Sequence, residues 1–247
     1  MIAVPFNKFL FFLMPSCKSL LLQAGRVILF LFLFSSKAFS ESSCYGTTQD
    51  GRLENGVRLP MSGPNFTTYS HLGWIAGRTF VHSKVKEILL DAYNELQKTS
   101  PDKTFVYAET GWKQGGSFKP HKTHQNGLSV DLMVPVVDTT TNKSVPMPTS
   151  VFNKLGYEIE FSKKGVFKKY KIDFDALGDL IYQISKSANK KNVKIWRVIF
   201  DPDMISLLHA SHRGAYLKEH VLIPNKQSWV RHDEHIHIDF EIPCKPL

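Results

Sequence analysis

Half of the ten histidines in this chain fall in two short segments spaced like the two halves of a metal site. The first reads His121-Lys-Thr-His124-Gln-Asn-Gly-Leu-Ser-Val-Asp131, the second His232-Asp-Glu-His235-Ile-His237-Ile-Asp-Phe. A fold that uses them has to bring two distant stretches of chain to one point. A catalytic zinc takes three protein ligands of this kind and keeps a fourth position open for water. The two segments offer more imidazoles than one ion needs, which leaves one for proton transfer.

Local geometry sharpens this. His235 and His237 alternate with Ile236 and Ile238, and residues two apart on a strand point to the same face. Both imidazoles then face one side while the isoleucines enter the core. This suits two ligands, or one ligand beside one base. In the first segment Gly127 permits a tight approach after His124, and Ser129, Asp131 and Met133 share one face of a strand over 129–134. His124 and Asp131 can converge on an ion from a loop and a strand. A carboxylate on a buried strand has to be paired or coordinated. Ligand softness points to zinc first; the competing reading is a hydrogen-bonded His/Asp network at the sheet end. If His124, Asp131 and His237 bind the ion, one tetrahedral position stays open for a water of near-neutral pKa. His235 then takes the proton or steadies the oxyanion. Glu234, at the start of the strand, is the competing base.

The 247 residues begin with an address-like stretch. Lys18 and Arg26 precede an apolar run over 27–34, and Ala38-Phe39-Ser40 offers a small-x-small cleavage site before Glu41. That order predicts a cleaved signal peptide over 1–40 and a mature domain over 41–247. The run is too short for a bilayer span, which needs about 20 apolar residues, so no retained membrane anchor is expected. Lys8, Lys18, Arg26 and Lys37 lie in the leader with no acid, so its removal lowers the formal charge from +9 to +5. A mild positive excess suits an anionic polymer such as a cell wall, and no nucleic-acid-binding motif is present. The mature chain keeps Cys44 and Cys244, one near each end, which in an oxidising compartment reads as a disulfide.

The remaining pattern is mixed. Residues 44–75 read as irregular coil. A helix is expected over 82–98, with Val85, Ile88, Leu89, Ala92 and Leu96 on one face. An alternating strand is expected over 104–110, then a loop over 111–120 that delivers His121. Residues 138–150 read as a surface loop, and 157–161 and 166–172 as a hairpin turning at Gly165. Its lysines (Lys163, Lys164, Lys168, Lys169, Lys171) form a solvated face. Asp173 or Asp175 caps a helix to about Lys190. A strand over 194–200, a short helix from Asp201-Pro202 and a last strand over 235–242 follow. No regular βαβ repeat is seen, so the fold class is α+β, a single domain with a mostly antiparallel sheet and flanking helices.

At its histidine segments the chain resembles the penicillin-insensitive murein endopeptidases, within the group of zinc peptidases that includes lysostaphin, D-Ala-D-Ala carboxypeptidases and the hedgehog signalling domain. The family's S-H-Q-T-G-L-x-V-D appears as Thr123-His124-Gln125-Asn126-Gly127-Leu128-Ser129-Val130-Asp131, and its W-x-x-H-x-x-H-x-H as Trp229 to His237. Further likeness covers 55–63, 115–116 and 194–208. The resemblance implies a hedgehog/D-Ala-D-Ala peptidase-like fold, zinc on His124, Asp131 and His237, and catalytic His235. It also implies that His121, His232, Gln125 and Trp229 position the peptide. The implied activity is periplasmic hydrolysis of peptide cross-links in peptidoglycan, of the D-alanyl–diaminopimelate type. The carboxypeptidase branch ends E-x-W-H; Glu234 has that offset from His237, but Ile236 replaces the Trp. Ser129 departs from an acid common in the family, the family's internal cysteine pairs are missing, and the loop after the first motif lacks the side chains that hold an additional metal. The rival readings are a D,D-carboxypeptidase and a non-catalytic, zinc-stabilised wall-binding module.

Overall fold

A computed structural model describes residues 41–247. The expected signal segment, its cleavage site and the question of a retained anchor lie outside the described residues. Among these, no helix is long and apolar enough to cross a membrane.

Two helices form where the apolar spacing requires them. Helix Ser83–Thr99 buries Val85, Ile88, Leu89, Ala92, Tyr93 and Leu96 on one face. His82 caps it, its Nδ1 accepting the Lys84 N–H at 3.2 Å. Helix Phe174–Lys190 begins at Asp173, whose Oδ1 accepts the Ala176 N–H at 3.0 Å, and buries Leu177, Leu180, Ile181 and Ile184. The helices pack on each other and share one apolar cluster with Val130, Leu132, Ile236 and Ile238 of the sheet. Each fully buried Leu or Ile contributes about 1.5–3 kcal/mol relative to exposure.

The central sheet has five strands in the order Lys194–Ile199, His235–Glu241, Ser129–Met133, Phe105–Tyr107 and Phe66–Thr68. Neighbours are antiparallel except the last pair, which is parallel. His235 sits opposite Met133, His237 opposite Asp131 and Asp239 opposite Ser129. Strand alternation places these six residues on one face and turns Val130, Leu132, Ile236 and Ile238 to the other. The α+β class and the mostly antiparallel sheet are as the sequence predicts.

Four local readings change. Residues 44–75 are not coil: they hold Ser43–Gly46, Gly51–Glu54, Val57–Arg58 and Phe66–Thr68 as strands and the helix His71–Ile75. Some of these short strands find partners far along the chain, such as Phe80–Val81 and Phe105–Tyr107, which local composition does not reveal. The strand expected over 104–110 is only Phe105–Tyr107, buried on both faces. The loop 138–150 contains Lys143–Val145, which pairs with Val136–Asp138. Residues 157–161 form no strand; the hairpin pairs Val166–Phe167 with Tyr170–Ile172 and turns at Lys168-Lys169. Gly165, at φ +71°, instead closes the turn before it, its N–H reaching Ser162 O at 2.8 Å.

Cys44 and Cys244 form a disulfide across 200 residues, with Cα atoms 4.8 Å apart. The backbone doubles this tie: Lys245 N–H donates to Cys44 O and Gly46 N–H to Lys245 O, both at 2.9 Å. Loop closure of this length stabilises by at most about 5 kcal/mol. Cys244→Ser is expected to lower the urea midpoint of the oxidised protein to that of the reduced parent. Equal midpoints for oxidised and reduced parent would remove the bridge from the stability account.

Candidate active site

The polar face of the two central strands carries the site. Asp131 is fully buried at its centre. Four imidazoles converge on its carboxylate, two from each histidine segment. His237 Nδ1 lies 2.8 Å and His124 Nε2 3.2 Å from Oδ1. His121 Nδ1 lies 3.6 Å and His235 Nε2 3.8 Å from Oδ2. The Tyr157 hydroxyl donates to Oδ2 at 3.0 Å.

Backbone conformation makes the approach of His124 possible. His124 itself has φ +69°. Its carbonyl passes so close to Gly111 that a Cβ there would sit 2.7 Å from His124 O. Gly127, at φ +78°, lies where a Cβ would meet Leu53 Cδ2 at 2.6 Å. Glycine is required at both positions by positive φ and by close approach.

The outward nitrogen of each imidazole is also held. His124 Nδ1–H donates to Thr110 O at 3.2 Å. His237 Nε2 meets Asp239 Oδ1 at 2.9 Å, and Asp239 is fixed in turn by Ser129 Oγ at 2.6 Å and Arg197 Nε at 2.7 Å. His121 Nε2 meets Glu109 Oε2 at 2.5 Å; Glu109 also accepts from Tyr69 Oη at 2.8 Å and binds Arg78. His235 Nδ1 meets Glu234 Oε1 at 2.8 Å. His232 Nδ1–H donates to Val230 O at 2.9 Å, and its ring lies 4.7 Å from that of His235. Such outward partners set which nitrogen faces the centre.

The electrostatics follow from burial and these neighbours. Burial opposes the charge of Asp131, but the surrounding imidazoles outweigh it and hold its pKa well below the carboxylate range. Burial lowers His124. At His237 burial is outweighed by Asp239 and Asp131, which raise its pKa to about 10. Burial together with His235 pushes His232 down to about 3. In contrast, Glu234 and Asp131 outweigh burial at His235 and raise its pKa.

The donor set fits a cation. His121, His124 and Asp131 each offer an atom within 4.8 Å of the other two, and His237 Nδ1 approaches the same carboxylate. His124 Nε2 is buried and has no hydrogen-bond partner among the described residues, although it faces Asp131 Oδ1. A buried nitrogen left unsatisfied beside a carboxylate oxygen is what a bound cation would satisfy.

A cleft of about 580 Å³ opens onto this centre and is lined by Asp131, His121, His232, His235, His237 and Trp229, among others. Trp229 is half-exposed at its edge, with Lys122 Nζ 5.1 Å from the ring centre. Two sequence-selected residues do not line the cleft: His124, fully buried behind it, and Gln125. The Gln125 backbone is spent on the wall, the N–H donating to Thr48 O at 3.1 Å and the carbonyl accepting from Gly116 at 2.8 Å. Sequence reasoning passed over Glu109, Tyr157 and Asp239. Asp239 was accessible in principle, because it continues the His235, His237 alternation. Glu109 and Tyr157 have no local signature.

A buried carboxylate ringed by imidazoles at the floor of a cleft is the arrangement of a metal-dependent hydrolase. The chain belongs to the penicillin-insensitive murein endopeptidase family, whose model matches residues 44–246. Membership makes it a metallopeptidase acting on murein. No individual curated protein matches it significantly.

Asp239→Asn is expected to weaken divalent-metal retention by about 10–100-fold, the usual effect of losing the carboxylate behind an imidazole at a metal centre. Competition with a chromogenic chelator measures this. Unchanged affinity would show that His237 needs no carboxylate behind it.

Proposed function

We propose that the protein is a periplasmic zinc endopeptidase that cuts the D-alanyl–diaminopimelate type of cross-link, exported by cleavage after Ser40. His124 Nε2, Asp131 Oδ1 and His237 Nδ1 are the ligands in this reading. The observation that carries it is their convergence on a single oxygen, with the far nitrogen of each imidazole already held by Thr110 O or Asp239. The fourfold crowd of imidazoles thereby divides: His121 and His235 face the other oxygen.

Zinc held there supplies an acidified water and an electrophile for the scissile carbonyl. The chain's own groups do the rest. Glu234 holds His235 Nδ1–H, which leaves Nε2 to take a proton from the attacking water and return it to the leaving amine. This supports His235 as the base and Glu234 as its positioning partner. His232, kept neutral by burial and with its Nδ1–H given to Val230 O, offers Nε2 as an acceptor next to it. His121 is fixed by Glu109 against the cleft, and Trp229 offers an apolar face for the peptide.

A carboxypeptidase needs an unpaired cation for the terminal carboxylate of its substrate. The cleft's Arg78, Lys154, Arg197 and Arg231 are each tied to an acid: Glu109, Glu158, Asp239 and Asp201. Lys122 has no such acid among the described residues, but it lies exposed over Trp229. This favours an internal bond as the point of cleavage.

Zinc on His237 has to displace the proton that Asp131 and Asp239 hold there. Affinity is therefore expected to rise with pH up to about 10. Equilibrium dialysis that gives a flat profile over about pH 6–9, where proton competition has to appear, would remove His237 from the ligand set.

His235→Ala is expected to keep its zinc and lose turnover by ~10²–10⁴-fold, whereas His237→Ala loses zinc as well. Zinc content and hydrolysis of purified muropeptides, measured on both variants, decide this. Zinc lost from His235→Ala and kept by His237→Ala would reverse the roles.

A further inference from the structure

A second groove, of about 550 Å³, lies between the turn Val151–Gly156 and the hairpin tip at Lys168-Lys169. Pro148, Phe152, Asn153, Phe167, Lys168 and Tyr170 line it, and its size falls in the range of small-ligand sites. Phe167 and Tyr170 are partly buried against the core and form a firm floor. Phe152 stands clear of the protein, 93 % exposed.

That exposure does not come from a loose loop. Asn153 ties the turn together: its Oδ1 accepts from Ser150 N–H at 2.8 Å and Gly156 N–H at 2.9 Å, and its Nδ2 donates to Pro148 O at 2.8 Å. A phenyl ring held in water by a fixed turn gains nothing for folding.

Backbone strain points to the same place. Seven non-glycine residues among those described have positive φ. Three are Asn, which tolerates this region. The other four are His124, Lys154, Leu155 and Lys168. His124 belongs to the metal centre; Lys168 lines the groove, and Lys154 and Leu155 follow its Phe152 and Asn153 in the turn and line the cleft. Strain of this kind persists at sites where the surroundings impose it.

The groove and the catalytic cleft draw on the same turn for part of their walls. Lys154 and Leu155 line the cleft, while Phe152 and Asn153, the preceding residues of the same turn, line the groove. Neighbouring Cα atoms are about 3.8 Å apart, so this one turn presents consecutive residues to both sites.

We propose that this groove is a second substrate subsite and that its occupant is the amino-sugar strand carrying the cleaved peptide. The proposal rests on the murein endopeptidase reading. Sugar rings present flat C–H faces that pack on exposed aromatic rings, which Phe152 supplies beside the partly buried Tyr170. Hydroxyl and acetamido oxygens accept hydrogen bonds, which Lys168 can give: its ammonium lies 5.1 Å from the Phe167 ring centre and has no carboxylate partner among the described residues. Lys169, by contrast, is held by Asp138 at 2.8 Å.

The test uses two soluble substrates, a cross-linked stem-peptide dimer without sugars and the same dimer with its disaccharides attached. Phe152→Ala is expected to raise KM on the sugar-bearing dimer about tenfold with kcat unchanged, and to stay within about twofold of the parent on the bare dimer. Phe152→Trp, which keeps an aromatic face, is expected to restore the parent KM. The ring touches little of the protein, so the unfolding midpoint of both variants should equal the parent's. Equal losses on both substrates, or no loss on either, overturn the subsite. A parent that cleaves neither dimer overturns the murein reading and the subsite with it, whereas a parent that cleaves both leaves the variants to decide the subsite alone.

Discussion

A carboxylate with no access to water has to be stabilised where it sits, and Asp131 is such a group at the middle of the central sheet. Everything around it alternates in charge and donor character. From Asp131 outward, His237 leads to Asp239 and then Arg197; His121 leads to Glu109 and then Arg78. Two relays of carboxylate, imidazole, carboxylate and guanidinium thus run from the core to the cleft wall. Each buried acid is matched by a cation or a donor, which is the condition for keeping so many ionisable groups in a low-dielectric interior.

The same arrangement separates two neighbouring histidines. His232 and His235 lie side by side, but one has a backbone carbonyl for its outer partner and the other a buried carboxylate. Burial dominates at the first and keeps it neutral; the two acids near the second favour its protonated form. Divergent environments for adjacent titratable groups are how one site acquires distinct proton donors and acceptors.

The ends of the domain are mechanically joined to the site. Thr48 O accepts the Gln125 N–H one residue past His124, and Asn126 Nδ2 reaches Cys244 Sγ at 3.6 Å. The terminal disulfide therefore backs the loop that carries His124 as well as closing the chain. This accounts for the place of Gln125, which acts through its backbone in the wall and not at the cleft surface.

The histidine alternation, the tight approach at Gly127 after His124, the two amphipathic helices and the terminal cysteine pair were all legible in the residues, because each is carried by a local period, a residue type or a place in the chain. The family likeness rested on the same short segments. Pairings between remote short strands were not legible, since two or three residues carry no period of their own. Nor were Glu109 and Tyr157, whose neighbours in space are distant in the chain. Which oxygen of Asp131 each ring faces was not legible either: strand register places His235 and His237, and the loop with its positive φ at His124 places the other two. Sequence alone determined that an anion and several imidazoles would meet; tertiary structure decided which atoms meet, because burial, outer hydrogen-bond partners and register are properties of the packed chain.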